Sequence, residues 1–406
     1  MTLLQNALLW DGSGAEPLEG AHVLVEDDRI KEVSDKPIQA ADAQVHDLAG
    51  RTLMPGLIDA HFHAVAADPD IGKLEHMPRS LLYQHARELL EASLQRGFTT
   101  IRDAGGADYG LAKAVDKGLI AGSRIFFAGR ALSQTGGHGD FRSFEHAVCL
   151  CGQGGQTMTR ICDGVAAVRE AARDELRKGA HQIKIMASGG VASPSDPIWN
   201  LQFSEEEIRA IVWEATSWRT YVMAHAYTAD AIYRSVDFGV RSIEHGNLID
   251  AETAAFCAER GAYVVPTLAT YDALPRFAKD LGFPAESLAK IDTVASAGVG
   301  ALEILKAAGV KTGFGTDLLG AMHAHQSTEF AIRAQVLSSQ EILLSATKTN
   351  AEILNRTGEL GIVAPGALAD LLVVEGNPLE DLSLLAGQGE NLALIMKGGQ
   401  VFKNAL

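Results

Sequence analysis

The sequence predicts an α/β protein, a (β/α)8 TIM barrel with a small β-sandwich domain formed from both chain ends. Three observations predict it. Between about residues 54 and 357, apolar runs of strand length alternate with segments of helical period, which is typical of βα units. Eight such runs occur, the number of strands in a closed barrel. Both chain ends carry short strand-like runs broken by turn residues.

The elements of the predicted barrel follow from the apolar runs and the signals that flank them. An open, doubly wound sheet usually has a glycine-rich phosphate turn after its first strand, and none follows here. The helix over 204–219 begins with a capping box of Ser204 and Glu207. We predict strands over 57–64, 99–104, 124–129, 182–187, 221–226, 242–245, 263–267 and 312–316, with helices between them that include 81–95 and 165–178.

The two chain ends are predicted to form one composite domain. Residues 2–52 contain four strand-like runs, and this pattern returns after about residue 357 with runs at 369–374, 392–396 and 400–402. We therefore assign 1–53 and 358–406 to the β-sandwich domain and 54–357 to the barrel. The connection 131–164 is the main irregular insertion, and its glycines predict an active-site loop.

Composition limits the classes of function. The 406 residues are 47% hydrophobic, which suits a large core, and the formal charge of −16 disfavours nucleic acid and anionic membranes as partners. No apolar run approaches the roughly 20 residues of a membrane span, and the N-terminus lacks a signal-peptide pattern. We expect a cytoplasmic enzyme, unless a signal peptide was removed. Its four cysteines form no C-x-x-C pair and are predicted to be free thiols: Cys149, Cys151, Cys162 and Cys257.

Two histidines end the first predicted barrel strand. Side chains at i and i+2 of a strand point to the same face, roughly 6–7 Å apart. His61 and His63 could therefore reach one metal ion from a single strand. The alternative is a strand with two polar residues where it leaves the core.

Four more polar residues lie at corresponding ends of other predicted strands. Lys184 lies in the fourth, His225 and His245 end the fifth and sixth, and Asp317 follows the eighth. Each alone has a structural explanation: a hydrogen-bonded core histidine, a lysine reaching solvent, or an aspartate capping the next segment. Together with the histidine pair they converge on the mouth of a barrel, where catalytic groups lie.

This set of side chains suits a metal centre. Imidazole and carboxylate are ligands of Zn²⁺ and similar divalent ions. A buried lysine among cations is costly as an ammonium, because desolvation and like charges both disfavour the protonated form. If the neutral amine of Lys184 adds CO₂, the resulting carbamate has two oxygens and can bridge two metals.

At this point the sequence resembles a known family. Residues 55–63, together with the four other strand-end residues, resemble the amidohydrolase superfamily with a binuclear centre, and 361–371 resembles its C-terminal return to the β-domain. The resemblance covers essentially the whole chain. Within the superfamily the sequence is most similar to the imidazolonepropionase-like peptidase group of Xaa-Pro dipeptidases, related carboxypeptidases and ochratoxin-hydrolysing amidases. The matching stretches are 99–106, 184–191, 224–227, 243–246 and 315–317.

The resemblance implies roles for individual residues. His61, His63 and Asp317 would hold the more buried of two divalent metals, most simply Zn²⁺, and His225 and His245 the more exposed one. N6-carboxylated Lys184 and a hydroxide would bridge the two.

Further roles follow from the same resemblance. Asp317 would accept the proton of the attacking hydroxide and deliver it to the leaving amine. His138 would donate to the oxyanion, and Tyr227 would bind the free carboxylate of the substrate. For His138 and Tyr227 a purely structural role remains equally open.

The substrate class implied is a dipeptide or N-acyl amino acid with a free C-terminal carboxylate, including ochratoxin A as one candidate. A cyclic-amide hydrolase of the imidazolonepropionase type is the alternative, whose usual members carry one metal and lack the lysine ligand. A catalytically inactive scaffold is a third possibility, disfavoured because all six ligands are kept. The resemblance also implies a homo-oligomer, with an octamer among its forms.

Several loop residues are weaker candidates. His323 and His325 follow Asp317 and could line the mouth or be solvated, and Asp196 could touch substrate or make a turn. Aromatic loop residues favour an apolar or aromatic substrate side chain: Phe141, Phe144, Trp199 and Phe203.

Overall fold

The structure, a computed structural model, describes residues 1–142, 158–193, 196–278 and 285–406. Phe144, Cys149 and Cys151 lie outside these ranges. The strands of the described part form one mixed sheet from the chain ends and two parallel sheets from the middle of the chain. None of its helices combines the length and the apolar character that a membrane span requires.

The mixed sheet has eight strands and draws on both chain ends. Its strand order is β17-β16-β15-β5-β1-β2-β3, with β4 also paired to β1. β5 pairs in antiparallel fashion with β15, which joins the N-terminal strands to the C-terminal ones. All eight strands share one hydrogen-bonded network, so the two-layered sandwich stays a prediction. The strands are β1 (Thr2–Leu9), β2 (Leu18–Glu26), β3 (Arg29–Ser34), β4 (Gln44–Asp47), β5 (Thr52–Pro55), β15 (Leu371–Val374), β16 (Leu392–Lys397) and β17 (Gln400–Asn404).

The two parallel sheets contain seven of the predicted barrel strands. One has the order β6-β7-β8 and the other β10-β9-β11-β12-β13-β14, and every pairing in both is parallel. Most bounds differ from the predicted ones by only one or two residues. The strands are β6 (Leu57–Phe62), β7 (Phe98–Asp103), β8 (Arg124–Phe127), β9 (Ala131–Ser133), β10 (Thr159–Ile161), β11 (Ile183–Met186), β12 (Val222–Thr228), β13 (Ser242–Leu248) and β14 (Tyr263–Val265).

The predicted eighth strand, 312–316, is not a regular strand. Its backbone bonds to two different strands: Gly313 N–H donates to Val264, whereas Ala60 N–H donates to Phe314. The segment is therefore shared between β14 and β6 instead of pairing continuously with either. A Cβ at Gly315 would lie 2.6 Å from Val265 and 2.8 Å from the Cβ of His61, so glycine permits this close approach.

The predicted irregular connection 131–164 contains two regular pieces in its described part. β9 and β10 pair in parallel over three residues each, and β9 also bridges to β11. The prediction of an irregular loop was therefore wrong for the residues of β9 and β10. Three-residue strands are too short to show a period in sequence, so the pattern could not reveal them.

Helices alternate with the parallel strands, as the sequence pattern predicts. The capping box at Ser204 and Glu207 is present at the start of α5. The helices are α1 (Ile71–His76), α2 (Arg79–Gln95), α3 (Tyr109–Asp116), α4 (Val165–Arg177), α5 (Glu205–Ser217), α6 (Ala229–Asp237), α7 (Ala251–Arg260), α8 (Leu268–Ala278), α9 (Ala285–Ala307), α10 (Thr328–Arg333), α11 (Ser339–Leu344), α12 (Asn350–Ile353) and α13 (Ser383–Ala386), with a 3₁₀ turn at Gly320–His325 and a π turn at Ser345–Thr349.

The largest apolar core lies between the six-stranded sheet and the helices that cover it. Val168 and Leu176 of α4, together with Ile208 of α5, pack against Ile185 and Val222 of the sheet, all 1% exposed or less. Burying a side chain of this size stabilises the fold by about 1.5–3 kcal/mol. This core supports the strands whose ends form the site.

Candidate active site

One cavity is lined by all eight side chains that the sequence predicts for the site. It lies where the parallel strands β6, β11, β12 and β13 end. The structure therefore brings together residues that are up to 256 positions apart, since the first and last are 61 and 317. They are His61, His63, His138, Lys184, His225, Tyr227, His245 and Asp317.

Strand geometry orients the histidines. His61 lies in β6 and His63 follows it, with ring centroids 5.4 Å apart, while Phe62 between them points into an apolar cluster. His225 in β12 and His245 in β13 have ring centroids 4.6 Å apart. The alternation that the sequence suggested for the first strand is thus present, and the neighbouring strands add two more imidazoles.

Asp317 contacts three of these histidines. Its Oδ1 lies 3.1 Å from Nε2 of His63 and 3.3 Å from Nε2 of His61, and its Oδ2 lies 3.8 Å from Nδ1 of His245. Burial opposes ionisation of the carboxyl, but the neighbouring imidazoles, above all His61, hold its pKa well below its usual range. Donor atoms of His61, His245 and Asp317 lie within 4.8 Å of one another, so they could surround one cation.

Backbone carbonyls fix the tautomers of two histidines. Nδ1 of His63 lies 3.1 Å from the carbonyl oxygen of Gly105, and Nε2 of His225 lies 3.3 Å from that of Gly189. Because a carbonyl only accepts hydrogen bonds, these nitrogens carry the protons. In the neutral imidazoles the lone pairs are left on Nε2 of His63 and Nδ1 of His225, the atoms that could bind a metal, whereas protonated His63 donates from Nε2 to Asp317.

The pKa values of the histidines follow from their surroundings. Burial lowers the pKa of His225 and of His245 well below the usual value, and nearby imidazoles and Lys184 act in the same direction. Burial also lowers the pKa of His63, but the hydrogen bond from its ring to Asp317 outweighs it and the net pKa is raised. His225 and His245 are therefore neutral near pH 7, the form that coordinates metals.

Lys184 is buried at the cavity wall. Its side chain is 2% exposed. Burial lowers its pKa to about 8, although Glu244 and Asp317 nearby oppose that shift. A substantial fraction of the lysine is therefore a neutral amine in mildly alkaline solution.

A buried ion pair behind His61 was missed in the sequence. Nδ1 of His61 donates to Glu244 at 2.7 Å, and Arg102 donates to both oxygens of Glu244 at 2.8 and 2.9 Å. Arg102 and Glu244 are 0% exposed. The bond to Glu244 leaves the lone pair of neutral His61 on Nε2, and an anionic acceptor of this kind would raise the basicity of that nitrogen towards a metal ion. Charged residues inside the apolar runs of β7 and β13 were the signal that could have revealed it.

Two buried aspartates support the backbone around the site. Asp59 accepts from the N–H of His61 at 3.0 Å and the hydroxyl of Thr316 at 2.6 Å, which ties β6 to the irregular segment before Asp317. Asp103 accepts from the N–H of Gly105, whose carbonyl holds His63. Burial raises the pKa of Asp59 and of Asp103, and several hydrogen bonds to each carboxylate oppose the shift.

Two of the candidate ligands have strained backbones. His245 has φ of 75° and Asp317 has φ of 53°, in the left-handed region that residues with a side chain rarely adopt. Such a conformation costs about 1–3 kcal/mol and is found most often at functional sites. The strain coincides with the residues that point donor atoms into the cavity.

His138 and Tyr227 are held at the cavity wall. Nδ1 of His138 lies 2.7 Å from the hydroxyl of Ser193, and its ring stacks on that of His225 with centroids 4.2 Å apart. The hydroxyl of Tyr227 lies 2.7 Å from that of Tyr271, and burial raises the pKa of both phenols. Both tyrosines therefore stay protonated and can act as hydrogen-bond donors.

Most of the weaker candidates lie away from the cavity. Phe141 lines it, whereas Trp199 is 74% exposed and Phe203 is buried in the main core. Asp196 is buried beneath the wall, where it accepts from the N–H of Gly190. His323 packs against Phe62 and His325 against Phe277, and neither lines the cavity.

Comparison with known proteins places the chain. The model of the Amidohydrolase family matches residues 52–401. The chain belongs to the amidohydrolase family. This amidohydrolase is 32% identical to ochratoxinase of Aspergillus niger over 422 aligned positions, which cover 99% of this chain and 87% of that protein.

Two solved structures of amidohydrolase relatives are also similar. A crystal structure of a prolidase complexed with N-methylphosphonate-L-proline is 51% identical, has a TM-score of 0.97 and covers 99% of both chains. A Xaa-Pro dipeptidase with methionine bound in the active site is 29% identical, with a TM-score of 0.89, and covers 99% of this chain and 100% of the other. These neighbours imply a TIM-barrel fold and confirm the predicted peptidase group. The chain is a hydrolase that acts on C–N bonds.

Proposed function

We propose that this amidohydrolase cleaves the amide bond of dipeptides or N-acyl amino acids with a free C-terminal carboxylate. The observation that carries the proposal is the convergence of six candidate ligands, His61, His63, Lys184, His225, His245 and Asp317, on one cavity. The similarity to a prolidase that binds a proline derivative, and to ochratoxinase, supports this substrate class.

The residues present fit a pair of divalent cations, most simply Zn²⁺. His61, His63 and Asp317 would hold one cation, and His225 and His245 the other. The burial of Lys184 in the cavity wall, which lowers the pKa of its ammonium, fits conversion to a carbamate shared by both. When bound, such cations supply a hydroxide nucleophile near neutral pH and polarise the scissile carbonyl.

The chain's own residues would manage protons and orientation. Asp317, ionised and open to the cavity, would accept the proton of the nucleophile on a carboxylate oxygen and pass it to the leaving amine. The ring of His138, fixed at Nδ1 by Ser193, would donate from Nε2 to the oxyanion. The hydroxyl of Tyr227 would donate to the free carboxylate of the substrate.

The cavity wall suggests an apolar substrate side chain. No arginine lines the cavity among the described residues, so the substrate carboxylate would be held by hydroxyl and backbone N–H donors. The apolar wall includes Phe141, Met158, Leu274 and Leu319. We expect better turnover of proline, aliphatic and aromatic amino acid derivatives than of acidic ones.

A panel of substrates and a metal analysis would test this function. Purified protein is assayed with Xaa-Pro dipeptides, other dipeptides, N-acyl amino acids and ochratoxin A, before and after treatment with a chelator. We expect hydrolysis that is lost with the chelator and restored by Zn²⁺, and about two metal ions per chain. Hydrolysis of cyclic amides only, with about one metal per chain, would favour the imidazolonepropionase-like alternative.

Lys184→Ala tests the role of the proposed carbamate separately from that of the other candidate ligands. We expect activity to fall by at least about 10³-fold and metal content to drop below two per chain, because two cations would lose the anion between them. Lys178→Ala, which removes a surface lysine from the end of α4, is the matched control. Full activity and full metal content in the Lys184 variant would contradict the carbamate.

We also propose the finer architecture and assembly. The two parallel sheets and the segment 312–316 would form a closed (β/α)8 barrel, supported by the bonds of that segment to β14 and β6. The chain-end strands would form a sandwich domain over 1–53 and 358–406. Light scattering coupled to size exclusion tests the expected homo-oligomer, with an octamer among its forms.

A further inference from the structure

Lys290 on α9 makes an unusual set of hydrogen bonds. Its ammonium donates to three backbone carbonyls of one loop: Asp196 at 2.8 Å, and Gly190 and Ser193 at 3.3 Å each. An ammonium has three N–H donors, so all are used. Within the described part of the chain no carboxylate pairs with Lys290, whose positive charge is therefore balanced by carbonyl dipoles alone.

The loop that Lys290 holds touches His138 at two points. The hydroxyl of Ser193 contacts Nδ1 of His138, while the carbonyl of the same serine is an acceptor for Lys290. The ring of His138 also packs against Gly190, where a Cβ would lie 2.0 Å from Cε1 of the imidazole. Lys290 thus binds the backbone of two residues that contact this ring.

The opposite face of the His138 ring is also covered. It stacks on His225 with an interplanar angle of 29° and centroids 4.2 Å apart. The imidazole is therefore sandwiched between a candidate metal ligand and the loop. On the loop side, Lys290 of α9 supplies polar contacts between that helix and the loop. If the loop moved outward, the ring of His138 could rotate.

We propose that Lys290 is a positioning residue, which holds Gly190, Ser193 and Asp196 beside His138 so that this imidazole points at the reacting carbonyl. The inference rests on the proposed function, because it takes His138 as the donor to the oxyanion. Lys290 does not line the cavity and acts through the loop. A misplacement of about 1 Å in such a group can cost about 10²-fold in rate.

Lys290→Met keeps the length and apolar body of the side chain and removes the ammonium. We expect kcat on the best amide substrate to fall about 10- to 100-fold, with KM changed less than about threefold. Lys306→Met is the matched control, because Lys306 lies on the same helix and also donates to a carbonyl, that of Val336, but is remote from the cavity. Its kcat is expected to match wild type, and both variants should keep the wild-type metal content.

A double-mutant cycle with His138→Asn decides whether Lys290 acts through His138. We expect Lys290→Met to cost little in the His138→Asn background, because the group that it positions is gone. Lys290→Arg should recover only part of the lost kcat, since a planar guanidinium cannot reach three converging carbonyls in the same way. Independent, multiplying effects of the two substitutions, a change confined to KM, or full activity of Lys290→Met would overturn the proposal.

A readout without activity separates this inference from the proposed function. If wild-type protein hydrolyses none of the substrates, the proposed function fails, but a crystal structure of Lys290→Met still decides the role of Lys290. We expect the contact between His138 and Ser193, 2.7 Å in the wild type, to lengthen or break. An unchanged loop and imidazole in that variant would refute the positioning role.

Discussion

Glu244→Gln tests the buried ion pair behind the site most directly. The substitution keeps the shape of the side chain but removes the negative charge that accepts hydrogen bonds from Arg102 and His61. Both of these residues are 1% exposed or less. Breaking a buried ion pair leaves an uncompensated charge and costs about 3–5 kcal/mol. Loss of the partner behind a metal-binding histidine typically weakens metal affinity about 10- to 100-fold. We therefore expect both a less stable protein and weaker binding of one metal.

Two measurements separate these effects. Denaturant unfolding of chelator-treated protein gives the change in free energy of unfolding, and titration against a competing chelator gives the metal affinity. Glu375→Gln is the matched control, because its ion pair with Arg51 is exposed and worth within about 1 kcal/mol. Wild-type stability together with wild-type metal affinity in Glu244→Gln would refute the reasoning.

A double variant sharpens this test. Replacing Arg102 by Met and Glu244 by Leu removes both charges, so much of the lost stability should return, as apolar replacements of buried pairs often show. The affinity for the metal proposed at His61 should stay low, because the imidazole still lacks its anionic acceptor. Recovery of both quantities would mean that Glu244 serves the fold alone.

Three further perturbations follow from packing and titration. Gly315→Ala should lower the free energy of unfolding by about 1–3 kcal/mol, because the added methyl group would clash with its neighbours. Gly300→Ala should raise it by about 0.5–1 kcal/mol, because this position of α9 has open space and alanine favours a helix. Denaturant unfolding measures both. Burial raises the pKa of Cys162 to about 12 and of Cys257 to about 11. Iodoacetamide at pH 8 should therefore label both thiols far more slowly in native than in unfolded protein, as measured by peptide mass spectrometry. A hydrogen bond from Lys178, one turn later, lowers the pKa of Asp174 to about 2. The carboxylate of Asp174 therefore adds at most about 1 kcal/mol to the free energy of unfolding above pH 4, and this contribution is lost as the pH falls towards 2. Asp174→Asn should make the free energy of unfolding depend less on pH in this acid range. Equal effects of the two glycine substitutions, fast native labelling, or an unchanged acid profile would contradict these expectations.

The parts of the fold that repeat were predictable from sequence. Strand-length apolar runs alternating with helical segments gave most of the parallel strands, because burial on both faces leaves continuous apolar runs. The irregular backbone of the segment 312–316, which we predicted as a strand, could not be predicted from sequence. Its composition is that of a strand, and only the three-dimensional placement of β6 and β14 divides its hydrogen bonds between two partners.

The convergence of the six candidate ligand side chains on one cavity was predictable, because they lie at the ends of predicted strands. His61, Lys184 and His245 stand out because polar side chains in or at the ends of apolar runs are costly to bury without a binding partner. The pairing of Arg102 with Glu244 could not be read in the same way, since it joins β7 to β13 across a distance in sequence that no local pattern encodes. The same holds for Lys290, whose role depends on how α9 lies against the loop after β11.

The junction between β5 and β6 has a consequence for how the site is assembled during folding. A single residue, Gly56, separates β5, which belongs to the chain-end sheet, from the strand that carries His61. β5 is held by β15, and the hydroxyl of Thr52 bonds to the carbonyl of Gly376, 324 residues further along the chain. Contacts between residues so far apart in sequence form slowly, because a long loop must close first. β5, one residue before the strand of His61, can therefore pair with β15 only after nearly the whole chain has been synthesised, which makes completion of the junction beside the proposed metal centre a late event in folding.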